Sequence, residues 1–89
     1  MANLKRIVLD VLKPHQPSGL EFAGALADVL EGCRVRLMVD EVDEKTESVI
    51  LDITGENIDF EAAAAKITEL GGSIHSVDEI EVEPEGAQP

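Results

Sequence analysis

The chain has 89 residues, enough for one domain, and its formal net charge is −12. A surface this negative repels nucleic-acid phosphates and anionic lipids, which excludes DNA, RNA and membranes as expected partners. Cys33 is the only cysteine. An intrachain disulfide, a CxxC redox pair and a four-thiolate iron–sulfur cluster are therefore excluded, and a buried structural thiol is expected.

The acidic residues are spread over the whole chain rather than gathered in one block. That distribution predicts a halophilic protein kept soluble at high salt; an acidic patch for cations is the alternative. No apolar run approaches the ~20 residues of a membrane span. The N-terminus passes into a strand pattern without a cleavable signal, so a cytoplasmic location is expected.

The first predicted elements are a strand and a helix. Residues 4–12 alternate with the period of a strand, and two prolines within residues 13–17 end it. Ser18 and Glu21 have the spacing of a capping box, and Gly32 is suited to end the helix that follows. The residues expected to face the core are Ile7, Leu9 and Val11 of the strand and Leu20, Ala23, Leu26, Ala27 and Leu30 of the helix.

Residues 34–40 and 48–54 predict a hairpin with its turn near residues 43–45. One antiparallel register places apolar side chains opposite apolar side chains, and we expect this register. It sets Arg36 opposite Asp52 as a cross-strand ion pair. The other pairs are Val35 with Ile53, Leu37 with Leu51, Val39 with Val49 and Met38 with Ile50.

A second helix and a fourth strand complete the chain. Asn57 or Asp59 is expected to cap the helix, and Gly71-Gly72 to end it. Its buried residues are expected to be Phe60, Ala63, Ala64, Ile67 and Leu70. The fourth strand is predicted over residues 74–82, so that residues 1–82 form a single domain and residues 83–89 a disordered acidic tail.

The order strand, helix, strand, strand, helix, strand predicts the α+β class and a ferredoxin-like βαββαβ sandwich. Its four-stranded antiparallel sheet carries both helices on one face, with the first and third strands in the middle and the fourth beside the first.

The face without helices, here the open face, is too apolar for a freely solvated surface. It is expected to be an interface of a homo-oligomer or with a partner; a ligand platform and cover by the tail or a loop are alternatives. Its expected residues are Arg6, Val8, Asp10, Leu12, Arg36, Met38, Ile50, Asp52 and Val77.

The register proposed for the fourth strand sets His75 opposite Asp10. In the same register Val77 lies opposite Val8, and Glu79 lies opposite Arg6. Asp78 would then point inward, and a strand that ends or bulges near Val77 would relieve this.

The two histidines, His15 and His75, are expected at the same end of the sheet. With Asp10 they would suit Zn²⁺, and the acids of the hairpin would suit Ca²⁺ or Mg²⁺. Asp78 and Glu79 lie ~10–13 Å along the strand from His75, so they could join such a site only between subunits. The alternatives are a structural hydrogen bond from His75 to Asp10 and a solvated His15.

Other functions of this fold do not suit the chain. An RNA-binding sheet needs aromatic residues on its open face, whereas the two aromatic residues, Phe22 and Phe60, lie on the predicted helices. No nucleophile has an adjacent base and an orienting third group, so an enzyme is not expected. A general base formed by His75 with Asp10 is the form an enzyme would take.

Residues 6–15 and 71–79 resemble the two signature segments of a small archaeal family of unknown function, DUF211. The resemblance extends from Leu4 to about Ile80, and it implies a ferredoxin-like fold and ring-like homo-oligomers but no activity. The sequence thus predicts a non-enzymatic homo-oligomer that binds divalent metal ions through carboxylates and histidines. The alternative is a small-molecule-sensing regulatory domain with its ligand between subunits, near Pro14, His15 and Gly71-Gly72.

Overall fold

A computed structural model describes residues 2–86 and confirms the ferredoxin-like order of elements. The sheet has the order β2-β3-β1-β4, and each pair of neighbouring strands is antiparallel. The elements are β1 (Ala2–Pro14), α1 (Gly19–Val29), β2 (Arg34–Val42), β3 (Thr46–Thr54), α2 (Phe60–Glu69) and β4 (Ser73–Pro84).

The helix starts follow from their capping residues. The Ser18 hydroxyl accepts from the Glu21 backbone N–H at 3.2 Å, and the Glu21 carboxylate accepts from the Ser18 N–H at 3.1 Å. This confirms the capping box. At α2 the Asp59 carboxylate accepts from the Ala62 N–H at 3.0 Å, so Asp59 rather than Asn57 is the cap.

The hairpin of β2 and β3 has the predicted register. Arg36 lies opposite Asp52 and Met38 opposite Ile50, and the turn is closed by the Asp43 N–H, which donates to the Thr46 carbonyl at 2.8 Å. The register shifts by one residue only beyond Val39. Residues 34–39 of β2 are therefore a regular edge.

Two shifts in β4 contradict the register proposed for that strand. Asp10 lies opposite Ser76, and Val11 lies opposite Ile74, which leaves His75 as the extra residue of a bulge. His75 is therefore not paired with Asp10, because the bulge inserts one residue that strict alternation does not allow for.

The second shift lies at Asp78, the residue whose side chain would point inward in the register proposed from the sequence. Val8 lies opposite Glu79 and Leu9 opposite Val77, so Asp78 is the extra residue of a bulge, and the strand continues there rather than ends. Because Leu9 is fully buried against the helices, Val77 lies on the helix side of the sheet. Its predicted place on the open face is wrong.

The core lies between the sheet and the two helices. One side of α1 reaches it through Phe22, Leu26 and Leu30, which are spaced by one helical turn and almost wholly buried. Leu20 is 85% exposed, and its predicted burial is wrong because two residues turn a helix by about 200° from Phe22. The other core residues are Ile7, Leu9, Val11, Val49, Leu51, Ile53, Ile58, Ala63 and Ile67.

The helices are too short to cover the whole sheet. Helices of 11 and 10 residues span about 15–17 Å, whereas β1 and β4, with 13 and 12 residues, extend over about 40 Å. Ile80 and Val82 accordingly stay 61% and 55% exposed on the helix side of β4, opposite Ile7 and Leu4.

The fourth strand extends further than the sequence predicts. Glu83 and Pro84 continue β4 opposite Asn3 and Ala2, so this strand passes the domain boundary expected at residue 82. Residues 87–89 of the predicted tail lie outside the described residues. None of the helices in residues 2–86 is long and apolar enough to cross a membrane.

Gly72 is expected to be intolerant of a side chain. A Cβ there would lie 3.1 Å from both Ile67 Cγ2 and Phe22 Cζ and 3.3 Å from the Ile67 carbonyl oxygen. We expect Gly72→Ala to lower the free energy of unfolding by about 1–3 kcal/mol. Gly24→Ala, where nothing lies within 4 Å, should raise it by about 0.5–1 kcal/mol. Urea unfolding of both variants tests this, and equal effects would contradict it.

Candidate functional sites on the sheet

A pocket of about 330 Å³ on the sheet brings two of the predicted ligands together. It is lined by Asp10, Leu12, Ser48 and His75. Asp10 and His75 meet here although they are not opposite each other, because the bulge at His75 lies beside Asp10. No hydrogen bond joins the two side chains within residues 2–86, so the structural hydrogen bond considered as an alternative is absent there.

His15 lies at a different place and has other partners. Its Nδ1 is 3.2 Å from a Glu47 carboxylate oxygen, and its Nε2 is 2.9 Å from the Glu44 carbonyl oxygen. Both oxygens are acceptors, so both ring nitrogens donate only when the imidazole is protonated. A ring held in this way offers no free nitrogen to a metal ion within one subunit, although 39% of the side chain stays exposed.

Lys13 is the group that the sequence did not single out. Its side chain is fully buried on the helix side of the sheet. Nζ lies 3.2 Å from a Glu47 carboxylate oxygen and 5.9 Å from the centre of the Phe22 ring. Nζ also donates to the carbonyls of Pro14 at 2.7 Å and His15 at 3.5 Å. Three acceptors match the three N–H donors of an ammonium group, which indicates a structural cation rather than a nucleophilic amine.

The pair of His15 and Glu47 should make stability depend on pH. Hydrogen bonding to Glu47 raises the pKa of His15 above its ordinary 6.5, and the same bond lowers the pKa of Glu47 below 4.5. A raised histidine pKa stabilises the fold fully below pH 6.5 and loses this effect as pH rises through the folded value. A lowered carboxyl pKa stabilises above pH 4.5 and is lost as pH falls through the folded value.

We therefore expect the urea midpoint to fall as pH rises above 6.5, and His15→Gln to remove most of this decline. Unfolding curves between pH 5 and 9 measure it. His75→Gln is the matched control, because no hydrogen bond of the His75 ring is present in the described part of the chain. A decline that is unchanged in His15→Gln would contradict the prediction.

The chain's three arginines surround a second pocket, of about 350 Å³, at the other end of the sheet. The Arg6 guanidinium donates twice to the Asp52 carboxylate, at 2.9 and 3.0 Å, and once to Glu79 at 3.0 Å. The hydrogen bond to Arg6 lowers the pKa of Asp52, and the same bond raises the pKa of Arg6. Asp52 is thus bound by Arg6, and not by Arg36 as the sequence predicted.

The remaining predicted ligands lie apart from the pocket of Asp10 and His75. The Asp78 carboxylate accepts from the Ser76 hydroxyl at 2.6 Å, and Glu79 binds Arg6. Within residues 2–86, no group of three or more histidine, cysteine or acidic side chains is placed to hold a metal ion. One subunit therefore brings together Asp10 and His75, but neither Asp78, Glu79 nor His15 with them.

Two further predictions from the sequence concern the region near Gly71 and the burial of Cys33. A Cβ on Gly71 would lie 3.3 Å from Pro14 Cγ, so the region proposed for a ligand near Pro14 and Gly71 is closed in one subunit. Cys33 is only half-buried rather than buried, next to Gly55, and desolvation raises the pKa of its thiol. A raised pKa makes the thiol a weak nucleophile at neutral pH.

Comparison with known proteins agrees with the resemblance in the two segments. The model of the family described as DUF211, uncharacterized ArCR, matches residues 5–84. The uncharacterized protein MJ0319 of Methanocaldococcus jannaschii is 42% identical over 80 residues, which cover 90% of this chain and 82% of that protein.

Proposed function

We propose that the chain, which belongs to the DUF211 family of uncharacterised proteins, acts without catalysis as a homo-oligomer whose subunits bind a divalent cation. The observation that supports assembly is the position of the exposed apolar side chains. Of nine large hydrophobic residues that are exposed in residues 2–86, six lie on the two edge strands. These are Met38, Val39 and Val42 of β2 and Val77, Ile80 and Val82 of β4.

Edge strands with exposed apolar side chains are avoided in monomers, because their free N–H and C=O groups pair with other strands. The open face is a weaker candidate than its sequence suggests, since Val8 and Ile50 are already half-buried within one subunit. The edges therefore favour an assembly that extends the sheet.

Light scattering on the eluting protein tests the assembly. We expect a mass several times that of the 9.6 kDa chain, in both low and molar salt. The salt series matters because a charge of −12 on each subunit opposes association unless it is screened. A single species of about one chain mass at both salt concentrations would contradict the proposal.

The proposed cation site is the pocket of Asp10 and His75. A carboxylate and an imidazole are ligands for Zn²⁺ and related ions, and Ser48 lines the same pocket. Two protein ligands are fewer than a stable site needs, so the proposal includes further ligands from a neighbouring subunit.

Metal analysis of protein purified without added metal tests this part. We expect bound divalent metal in the wild type and its loss in both His75→Ala and Asp10→Asn. His15→Ala is the matched control, because both His15 ring nitrogens are already bonded to the hairpin. Equal metal content in all four proteins would contradict the site. A thermal shift with amino acids or nucleotides that survives chelation would favour the sensing domain instead.

A further inference from the structure

The two edges of the sheet carry opposite charge on the same face. Arg34 and Arg36 lie on the open side of β2, opposite Thr54 and Asp52 of β3. Glu81 lies on the open side of β4 opposite Arg6, and Glu83 follows two residues later on the same side. Within residues 2–86, none of Arg34, Arg36, Glu81 and Glu83 forms an ion pair.

The helix side of the same two edges is apolar. Val35 and Leu37 of β2 lie opposite buried residues of β3, and Ile80 and Val82 of β4 lie opposite Ile7 and Leu4. Ile80 and Val82 remain more than half exposed. Each edge therefore has an apolar row on one side and a charged row on the other, with the signs of charge reversed.

We propose that β2 of one copy pairs with β4 of a second copy, so that the sheet continues from subunit to subunit. This inference rests on the proposed homo-oligomer and identifies its interface. The pairing sets Arg36 opposite Glu81 and Arg34 opposite Glu83 on the open side. On the helix side it sets Leu37 opposite Ile80 and Val35 opposite Val82.

The direction of the strands suits this junction. β2 and β4 run antiparallel to each other within a subunit, because β2 and β1 are both antiparallel to β3, and β4 is antiparallel to β1. A second copy placed beside the first in the same orientation thus offers an antiparallel partner. The paired segments, residues 34–38 and 79–83, lie within stretches of each edge that have no inserted residue.

Charge also disfavours the symmetric alternatives. Two β4 edges would oppose glutamates, and two β2 edges would oppose arginines; like charges across strands are destabilising. The contact is therefore between unlike edges. Such a contact leaves one free β2 and one free β4 at every step, so it closes into a ring or grows into a filament.

Charge reversal of each edge tests the interface. Variant A carries Arg34→Glu and Arg36→Glu, and variant B carries Glu81→Arg and Glu83→Arg. Each alone has two edges of the same sign, and we expect each to elute at one chain mass. An equimolar mixture should assemble again into species of several chain masses, because every edge then has an oppositely charged partner only in the other variant.

Two controls make the outcome decisive. Asp28→Arg with Glu61→Arg changes the same number of charges on exposed positions of the two helices, and should assemble like the wild type. Arg34→Gln with Arg36→Gln avoids a new carboxylate beside Asp52, and should weaken association roughly tenfold if variant A does not fold. Wild-type assembly in variants A and B alone would overturn this interface and leave the homo-oligomer standing. A monomeric wild type would overturn both.

Discussion

Leu26→Ala is expected to lower the free energy of unfolding by about 2–5 kcal/mol, whereas Leu20→Ala should change it by less than about 0.5 kcal/mol. Both leucines lie in α1 and both are replaced by alanine, but they differ in burial. Leu26 is fully buried between α1 and the sheet, and Leu20 is 85% exposed. A domain of this size is stable by only about 4–13 kcal/mol, so the loss at Leu26 is a large share of the total.

Urea unfolding at one fixed protein concentration measures both variants, because the stability of an assembled protein depends on concentration. Circular dichroism should show wild-type helical content in Leu20→Ala. The difference in stability between the two variants then reflects side-chain packing and not loss of the helix. Similar losses at the two positions would mean that Leu20 is buried in the native protein, and would restore the helix stripe predicted from the sequence.

The difference between these leucines shows what hydrophobic periodicity can and cannot predict. The pattern places a helix after Ser18, and the capping box fixes its start. Small residues fill much of this helix, so the sequence permits two overlapping apolar stripes. Phe22 decides between them only when the sheet is present, because its large ring enters the core on the same side of α1 as Leu26.

The sheet shows the same division. The β2–β3 register could be predicted, because a short turn joins the strands and their side chains match pair by pair. The β4 register could not, because two inserted residues, His75 and Asp78, interrupt the alternation. His75 and Asp10 share a pocket all the same, since a bulge displaces a side chain by one position and not across the sheet.

The position of Lys13 along β1 is the only sequence signal for its burial. It continues the inward series of Ile7, Leu9 and Val11 at the same spacing, and only its charge argues against burial. Glu47 lies opposite it in β3. The missing signal was the partner, because a buried cation is tolerated when a carboxylate faces it, and the β1–β3 pairing that supplies Glu47 is not local in sequence.

We expect the two members of this pair to respond unequally to neutralisation. Glu47→Gln removes the carboxylate 3.2 Å from Nζ and leaves the fully buried Lys13 ammonium with only carbonyl acceptors and an amide. An unpaired buried charge is strongly destabilising, so the melting temperature should fall by roughly 10 °C or more.

Lys13→Met is expected to change the melting temperature much less than Glu47→Gln does. A methionine of similar length fills the same space against Phe22, and Glu47 keeps its hydrogen bond to His15. Replacing a buried ion by an apolar side chain is often neutral or stabilising, so the melting temperature should move by less than about 5 °C.

Thermal unfolding followed by circular dichroism at pH 6 and fixed protein concentration compares the two variants. The double variant Lys13→Met, Glu47→Gln provides the decisive measurement. It should melt above Glu47→Gln alone, because removing the ammonium also removes the unpaired charge. If the two substitutions simply add, or if Lys13→Met is the more damaging, the buried amine is a net contributor to stability and the order argued here is wrong.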